Sequence, residues 1–137
     1  MKVLVDTHVF LWAYASPGRL NPGAHSLLVN ESVEKYFSAA SAWEIAIKWA
    51  KGSLDLPDHP ASLVPHKVAE AGMHNLSITM QDVLKVSELP PIHSDPFDRL
   101  LIAQAMRNDA KIMTMDKVIA SYDVEVIALW LNDDDDE

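Results

Sequence analysis

Short apolar runs alternate along the chain with longer stretches in which apolar residues recur every three or four positions. The short runs predict buried strands at residues 2–6, 35–39, 76–78, 111–116 and 124–129. The periodic stretches predict helices at residues 7–15, 21–29, 41–52, 61–71, 79–90 and 95–108. Strands that alternate with helices indicate the α/β class, a three-layer sandwich with a mainly parallel central sheet flanked by helices.

Capping residues mark several of the predicted helix starts. Ser41 and Glu44 have the spacing of a capping box, and so do Thr79 and Asp82. Asp95 precedes a proline and is expected to cap the helix of "HSDPFDRLLIAQA". We therefore expect these helix boundaries to be well defined.

The length and the charge distribution predict one domain with an acidic tail. Residues 1–131 form the expected domain, and residues 132–137, "NDDDDE", are expected to be disordered. No run approaches the length of a membrane span, the start does not resemble a signal peptide, and cysteine is absent, which excludes thiol chemistry and Cys-ligated zinc. A cytoplasmic protein is expected.

Four carboxylates stand where predicted elements end or begin. Asp6 and Asp116 close apolar strands, and Glu44 and Asp98 lie in the expected first turn of a helix. In an open parallel sheet, the carboxyl ends of strands share one edge with the following helix starts, and ligands bind at that edge. Convergent carboxylates must take up protons or share a cation, and oxygen-only ligation suits Mg²⁺ or Mn²⁺. Phosphodiester hydrolysis is the chemistry that such a site favours.

Each of these residues also has a purely structural interpretation. Glu44 fits a capping-box partner of Ser41 or an ion-pair partner of Lys48, and Asp6 and Asp116 fit strand-end turns. The predicted convergence of all four at one edge is what favours the functional interpretation.

Several segments resemble PIN-domain ribonucleases, and among them the VapC toxins of toxin–antitoxin pairs. The resemblance spans nearly the whole chain and is carried by "LVDTHVFLWA", "SAASAWEIAIKWAKGSL", "HSDPFDRLLIAQA", and "IMTMD" followed by "YDVEVI". It implies a PIN-like fold and a metal-dependent endoribonuclease, with an acidic site at Asp6, Glu44, Asp98 and Asp116 that binds Mg²⁺ or Mn²⁺. It also implies a homodimer and a small cognate antitoxin.

Further residues beside these carboxylates are candidates for supporting roles. Lys48 and Arg99 are candidate phosphate contacts, because each lies close in sequence to a predicted ligand. Thr7, Asp95 and Thr114 are candidates for hydrogen bonds that orient the ligands. The chain has 11 basic and 20 acidic residues, so an RNA substrate has few cations to bind it.

Two other functions remain open from the residues. One is a non-catalytic acidic α/β module that binds a protein partner. The other is a phosphatase with Asp6 as nucleophile, although His8 stands where that chemistry expects a second acid. The tryptophans are expected to fill the core or a dimer interface. They are Trp12, Trp43, Trp49 and Trp130.

Overall fold

A computed structural model describes residues 1–130 and shows strands that alternate with helices. The strands are β1 (Lys2–Val5), β2 (Glu34–Ser38), β3 (His74–Leu76), β4 (Lys111–Thr114) and β5 (Val126–Ala128). The α-helices are α1 (Thr7–Ala15), α2 (Pro22–Val29), α3 (Ala39–Ala50), α4 (Pro60–Glu70), α5 (Met80–Lys85) and α6 (Pro96–Arg107). The acidic tail predicted at residues 132–137 lies outside the described residues.

The five strands form one sheet in the order β3-β2-β1-β4-β5, and all four pairings are parallel. In the register, Val5 of β1 lies between Phe37 of β2 and Met113 of β4. The carboxyl ends of the three central strands therefore meet at one edge of the sheet. The predicted α/β class and parallel sheet are confirmed.

Two apolar clusters cover the two faces of this sheet. Val3 and Val5 pack on one face with residues of α1 to α4, whereas Leu4 packs on the other face with residues of α6. Side chains alternate between faces along a strand, so β1 contributes to both clusters. The result is the predicted three-layer sandwich. No helix among residues 1–130 is long and apolar enough to cross a membrane.

Helix α3 begins earlier than its sequence predicts. Ser38, the last residue of β2, caps it by accepting a hydrogen bond from the backbone of Ala40. Ser41 lies inside the helix and is buried, so the capping box predicted for Ser41 and Glu44 is wrong. Ser38 and Ser41 are three residues apart, and Ser38 is the cap because β2 ends there. Glu44 consequently lies in the second turn of α3.

Strand β3 also differs from its prediction. It pairs with β2 through His74 to Leu76, whereas the apolar run predicted residues 76–78. His74 and Asn75 are polar and exposed at the sheet edge, so they carry no apolar signal. Asp82 and Thr79 form the predicted capping box.

A buried polar network joins α5 and α6 to β2. The Ser38 hydroxyl donates to Gln104 Oε1 at 2.5 Å, and Gln104 Nε2 donates to Asp82 Oδ2 at 3.1 Å. The guanidinium of Arg107 lies 2.5 Å from the other Asp82 oxygen. This network fixes α6, the helix that carries Asp98.

We predict that Asp82→Ala lowers the free energy of unfolding by about 2–4 kcal/mol, because Gln104 and the Arg107 guanidinium lose their partner and the backbone N–H of Thr79 loses its acceptor in the capping box. Urea denaturation measures the change. Asp55→Ala, at an exposed position, is the control and should change stability little. Equal effects of the two substitutions would contradict a structural role for the network.

Candidate metal centre

Asp6 lies directly after β1 and is 3% exposed. Its Oδ1 accepts a hydrogen bond from the backbone of Val9 at 2.9 Å, which caps α1, and its Oδ2 accepts one from the hydroxyl of Thr114. Burial raises the pKa of Asp6 above its usual range, although both hydrogen bonds oppose the shift. The strand pairing of β1 with β4 thus produces a fixed, buried carboxyl group.

Glu44 projects from the second turn of α3 and is also 3% exposed. Its Oε2 is 2.7 Å from the ammonium of Lys48, one turn further along the helix. Its Oε1 is buried and has no hydrogen-bond partner among the described residues. A buried carboxylate oxygen without a partner is costly and calls for a ligand.

Asp98 lies in the first turn of α6, which Asp95 caps as predicted. Burial is the largest cause of a raised pKa of about 7 at Asp98, and the nearby Asp95 carboxylate contributes to the same rise. His93 opposes this shift, whereas the carboxylates of Asp6 and Glu44 add to it. Asp6, Glu44 and Asp98 are therefore close enough for their charges to interact.

Asp116 follows β4 by two residues and begins a short 3-10 helix, Lys117–Ser121. Its backbone N–H donates to Thr114, and its Oδ1 accepts from the backbone of Val118. Its Oδ2 lies 2.6 Å from Nε2 of His93. His93 in turn lies 3.2 Å from Asp98 Oδ2, so it joins the last two carboxylates of the set.

Sequence reasoning did not select His93 as a site residue. Its Nδ1 accepts a hydrogen bond from the backbone of Asp95 at 3.0 Å, so Nε2 carries the hydrogen that faces Asp116 and Asp98. Ligand atoms of His93, Asp98 and Asp116 all lie within 4.8 Å of one another. The available signal was the position of His93 in "HSDPFDR", two residues before the helix cap.

The loop that carries His93 is anchored by Arg99 and Tyr122. The Tyr122 hydroxyl accepts from the backbone of His93 at 2.6 Å and from the Arg99 guanidinium at 3.2 Å. Arg99 donates further hydrogen bonds to backbone carbonyls of Val86, Leu89 and Pro90. The described contacts of Arg99 thus all hold this loop, and none of them reaches a carboxylate.

The other predicted supporting residues lie close to the centre. Thr114 contacts Asp6 directly, and Lys48 pairs with Glu44 while its side chain stays 42% exposed. The Thr7 hydroxyl donates to Ser41 at 2.9 Å rather than to a carboxylate. Asp95 uses Oδ1 to accept from the backbones of Phe97 and Asp98. Thr114 and Lys48 therefore have the direct contacts with the acidic residues.

The donor set fits a hard divalent cation. Its carboxylates lie at one edge of the sheet, and one buried oxygen of Glu44 has no partner within residues 1–130. Oxygen donors of this kind suit Mg²⁺ or Mn²⁺. Within the described residues, the group whose ligand atoms lie close enough together to hold one ion is His93, Asp98 and Asp116, without Asp6 or Glu44. The full set of Asp6, Glu44, Asp98 and Asp116 stays a prediction.

Comparison with known proteins identifies the family to which this fold is similar. The PIN domain family model matches residues 3–125. No curated protein matches the chain significantly in sequence.

Several solved structures share the fold. A chain of VapBC2 from Rickettsia felis, bound to promoter DNA, has a TM-score of 0.68 at 11% identity over 93% of this chain and 98% of that chain. FitAcB from Neisseria gonorrhoeae gives 0.63 at 19% identity, over 93% and 98% of the two chains. VapBC-1 from nontypeable Haemophilus influenzae gives 0.60 at 15% identity, over 96% and 100%.

We predict that Asp98→Asn stabilises the protein in EDTA at alkaline pH. The pKa of Asp98 is about 7 in the folded protein and about 4 in an unfolded chain. The folded state therefore binds this proton more tightly, and the free energy of unfolding falls as pH rises between these two values. The substitution removes that loss, so the gain should be roughly 1–3 kcal/mol at pH 8 and smaller at pH 5.

Urea denaturation at the two pH values measures this gain. Asp109→Asn is a matched control, because Asp109 is exposed beyond the far end of α6 and its φ of 53° is one that asparagine tolerates. If Asp98→Asn instead lowered the free energy of unfolding at pH 8, ionisation of Asp98 would not be destabilising the folded protein.

Proposed function

The chain belongs to the PIN domain family, and from that premise we propose that it is a Mg²⁺- or Mn²⁺-dependent endoribonuclease and the toxin of a toxin–antitoxin pair. The observation that carries the proposal is the buried oxygen of Glu44 without a partner in the described structure, beside carboxyl groups whose pKa values burial raises. Such an arrangement is unfavourable unless a cation or protons offset it.

The residues proposed as ligands are Asp6, Glu44, Asp98 and Asp116. When bound, a divalent ion lowers the pKa of a coordinated water and offsets negative charge on a phosphate. Asp6 is oriented by Val9 and Thr114, which leaves its position fixed before any ion binds. His93 Nε2 holds its hydrogen toward Asp116, which limits the rotation of that carboxylate.

Substrate contact is proposed for Lys48. Its ammonium lies beside Glu44 and remains partly exposed, so it can donate to a phosphate oxygen at the mouth of the centre. Arg99 was the other predicted phosphate contact. Its guanidinium is occupied by loop carbonyls and Tyr122, which favours a role in holding the His93 loop.

The proposed partners are a small antitoxin and a second copy of the chain, in the cytoplasm. The antitoxin is supported by the fold shared with chains of VapBC and FitAB complexes. A surface for the second copy is supported by α5, where Met80, Val83 and Leu84 are exposed. Residues 132–137 are proposed to form an acidic tail outside the domain.

The two alternative functions receive less support. A phosphatase with Asp6 as nucleophile needs a second acid two residues later, and His8 stands there instead. A module that only binds a protein has no need for a buried, unpartnered carboxylate oxygen at the sheet edge.

We expect purified protein to cleave a mixed pool of structured RNAs with Mn²⁺ or Mg²⁺, and EDTA to abolish cleavage. Asp98→Asn should lower the rate by roughly 100-fold or more, because it removes a ligand charge. Asp109→Asn, the same chemical change at the far end of α6, should leave the rate unchanged. Circular dichroism verifies folding. Well-folded wild type that neither cleaves RNA nor binds Mn²⁺ would overturn the proposal.

Salt dependence separates the two candidate phosphate contacts. In the Asp98→Asn background, we expect Lys48→Gln to lower the slope of log Kd against log salt for single-stranded RNA by about 0.7, because one phosphate contact is lost. Arg99→Gln should leave that slope unchanged, since its guanidinium bonds to protein carbonyls. Lys51→Gln, at the exposed end of α3, is the control. A reduced slope in Arg99→Gln would assign a phosphate contact to Arg99 instead.

A further inference from the structure

An aromatic pair, the exposed Trp43 and the partly buried Phe97, lies beside the metal centre. Trp43 of α3 and Phe97 of α6 lie with their ring centroids 5.0 Å apart and their planes at 79°, an edge-to-face contact. Each ring directly precedes a carboxylate of the centre, Glu44 in α3 and Asp98 in α6. The pair therefore bridges the same two helices that supply half of the acidic set.

Trp43 is unusually open to solvent for its type. It is 56% exposed, whereas the other three tryptophans, all within the described residues, are partly buried. The tryptophans were predicted to fill the core or a dimer interface, and the core alternative is wrong for Trp43 because its side chain is exposed. Phe97 holds the indole in place while most of its surface stays available to a ligand.

Few basic side chains are available near the centre to bind the phosphates of RNA. The chain carries 11 basic residues against 20 acidic ones. Lys48 is paired with Glu44, and Arg99 bonds to loop carbonyls. Affinity for a polyanion from phosphate contacts alone is therefore small, and a contribution that does not depend on charge is required. Stacking of a base on an aromatic ring is such a contribution.

We propose that Trp43, supported by Phe97, is a stacking site for a nucleobase of single-stranded RNA beside the phosphate that enters the carboxylate cluster. This inference rests on the proposed endoribonuclease function and specifies its substrate class. A base can stack on a protein ring only when it is released from its own helix, so single strands and loops are selected over duplex RNA. Trp43 is a binding residue in this proposal and takes no part in the chemistry.

Binding to RNA in the Asp98→Asn background tests the stacking site without cleavage. The probe is a short, fluorescein-labelled single-stranded RNA of mixed sequence, followed by anisotropy. We expect Trp43→Leu to weaken binding about tenfold and Trp43→Phe to retain most of it, because leucine keeps the apolar surface and removes the aromatic face. The salt slope should stay the same in both variants, and the same RNA as a duplex should be little affected.

Abasic RNA provides the decisive comparison. Removing one base at a time from the probe should, at one position, weaken binding to the Trp43 protein as much as Trp43→Leu does, and should have no added effect in Trp43→Leu. Val29→Ala, at an exposed apolar position on α2, is the control for general loss of surface apolarity. Circular dichroism verifies the fold of each variant.

Cleavage by the protein with native Asp98 separates this proposal from the nuclease proposal. If metal-dependent cleavage is present and Trp43→Leu leaves KM and RNA affinity unchanged, the stacking site is wrong and the nuclease stands. If RNA is neither bound nor cleaved, both proposals are wrong. If Trp43→Leu leaves RNA binding intact but dissociates an oligomer in light scattering, the aromatic pair is a protein interface and the stacking site is again wrong.

Discussion

The structure depends on one electrostatic constraint: several carboxyl groups are held together at the edge of a parallel sheet without enough buried cations to match them. Asp6 ends β1, Asp116 follows β4, and the two strands are hydrogen-bonded neighbours, so the topology itself brings these charges together. Helices α3 and α6 add Glu44 and Asp98. Removal of these carboxyl groups from water raises the free energy of the folded state, and nearby like charges add to that cost; the raised pKa values of Asp6 and Asp98 express both effects.

Nearby hydrogen bonds lower this cost and also fix the geometry of the carboxylates. Thr114 donates to Asp6, Lys48 pairs with Glu44, and His93 donates to Asp116. These contacts leave one oxygen of Glu44 buried and unpartnered in the described structure. If stability alone mattered, an apolar side chain in place of Glu44 would raise the free energy of unfolding. Retaining Glu44 is consistent with a site that is completed by a cation.

The sequence predicts the part of this arrangement that local patterns encode. Strand ends after apolar runs locate Asp6 and Asp116, and the Asp95 cap with Pro96 locates Asp98, because each signal lies within a few residues. The contacts that could not be predicted are long-range. Ser38 meets Gln104 across 66 positions, and His93 meets Asp116 across 23. Glu44 lies in the second turn of α3, so its predicted capping role is wrong, and its role as a metal ligand stays a prediction.

An acidic protein that acts on RNA gains selectivity from its shortage of cations. A strongly basic surface binds any phosphate backbone and gives affinity without sequence or shape information. Here acidic residues outnumber basic ones, and Lys48 and Arg99, the two predicted phosphate contacts, already have protein partners. Under the proposed function, RNA binding would then depend on contacts at the mouth of the centre, where the exposed ring of Trp43 directly precedes Glu44 in α3. In that proposal, the exposure of bases and the shape of RNA loops, rather than charge, would determine which RNA binds.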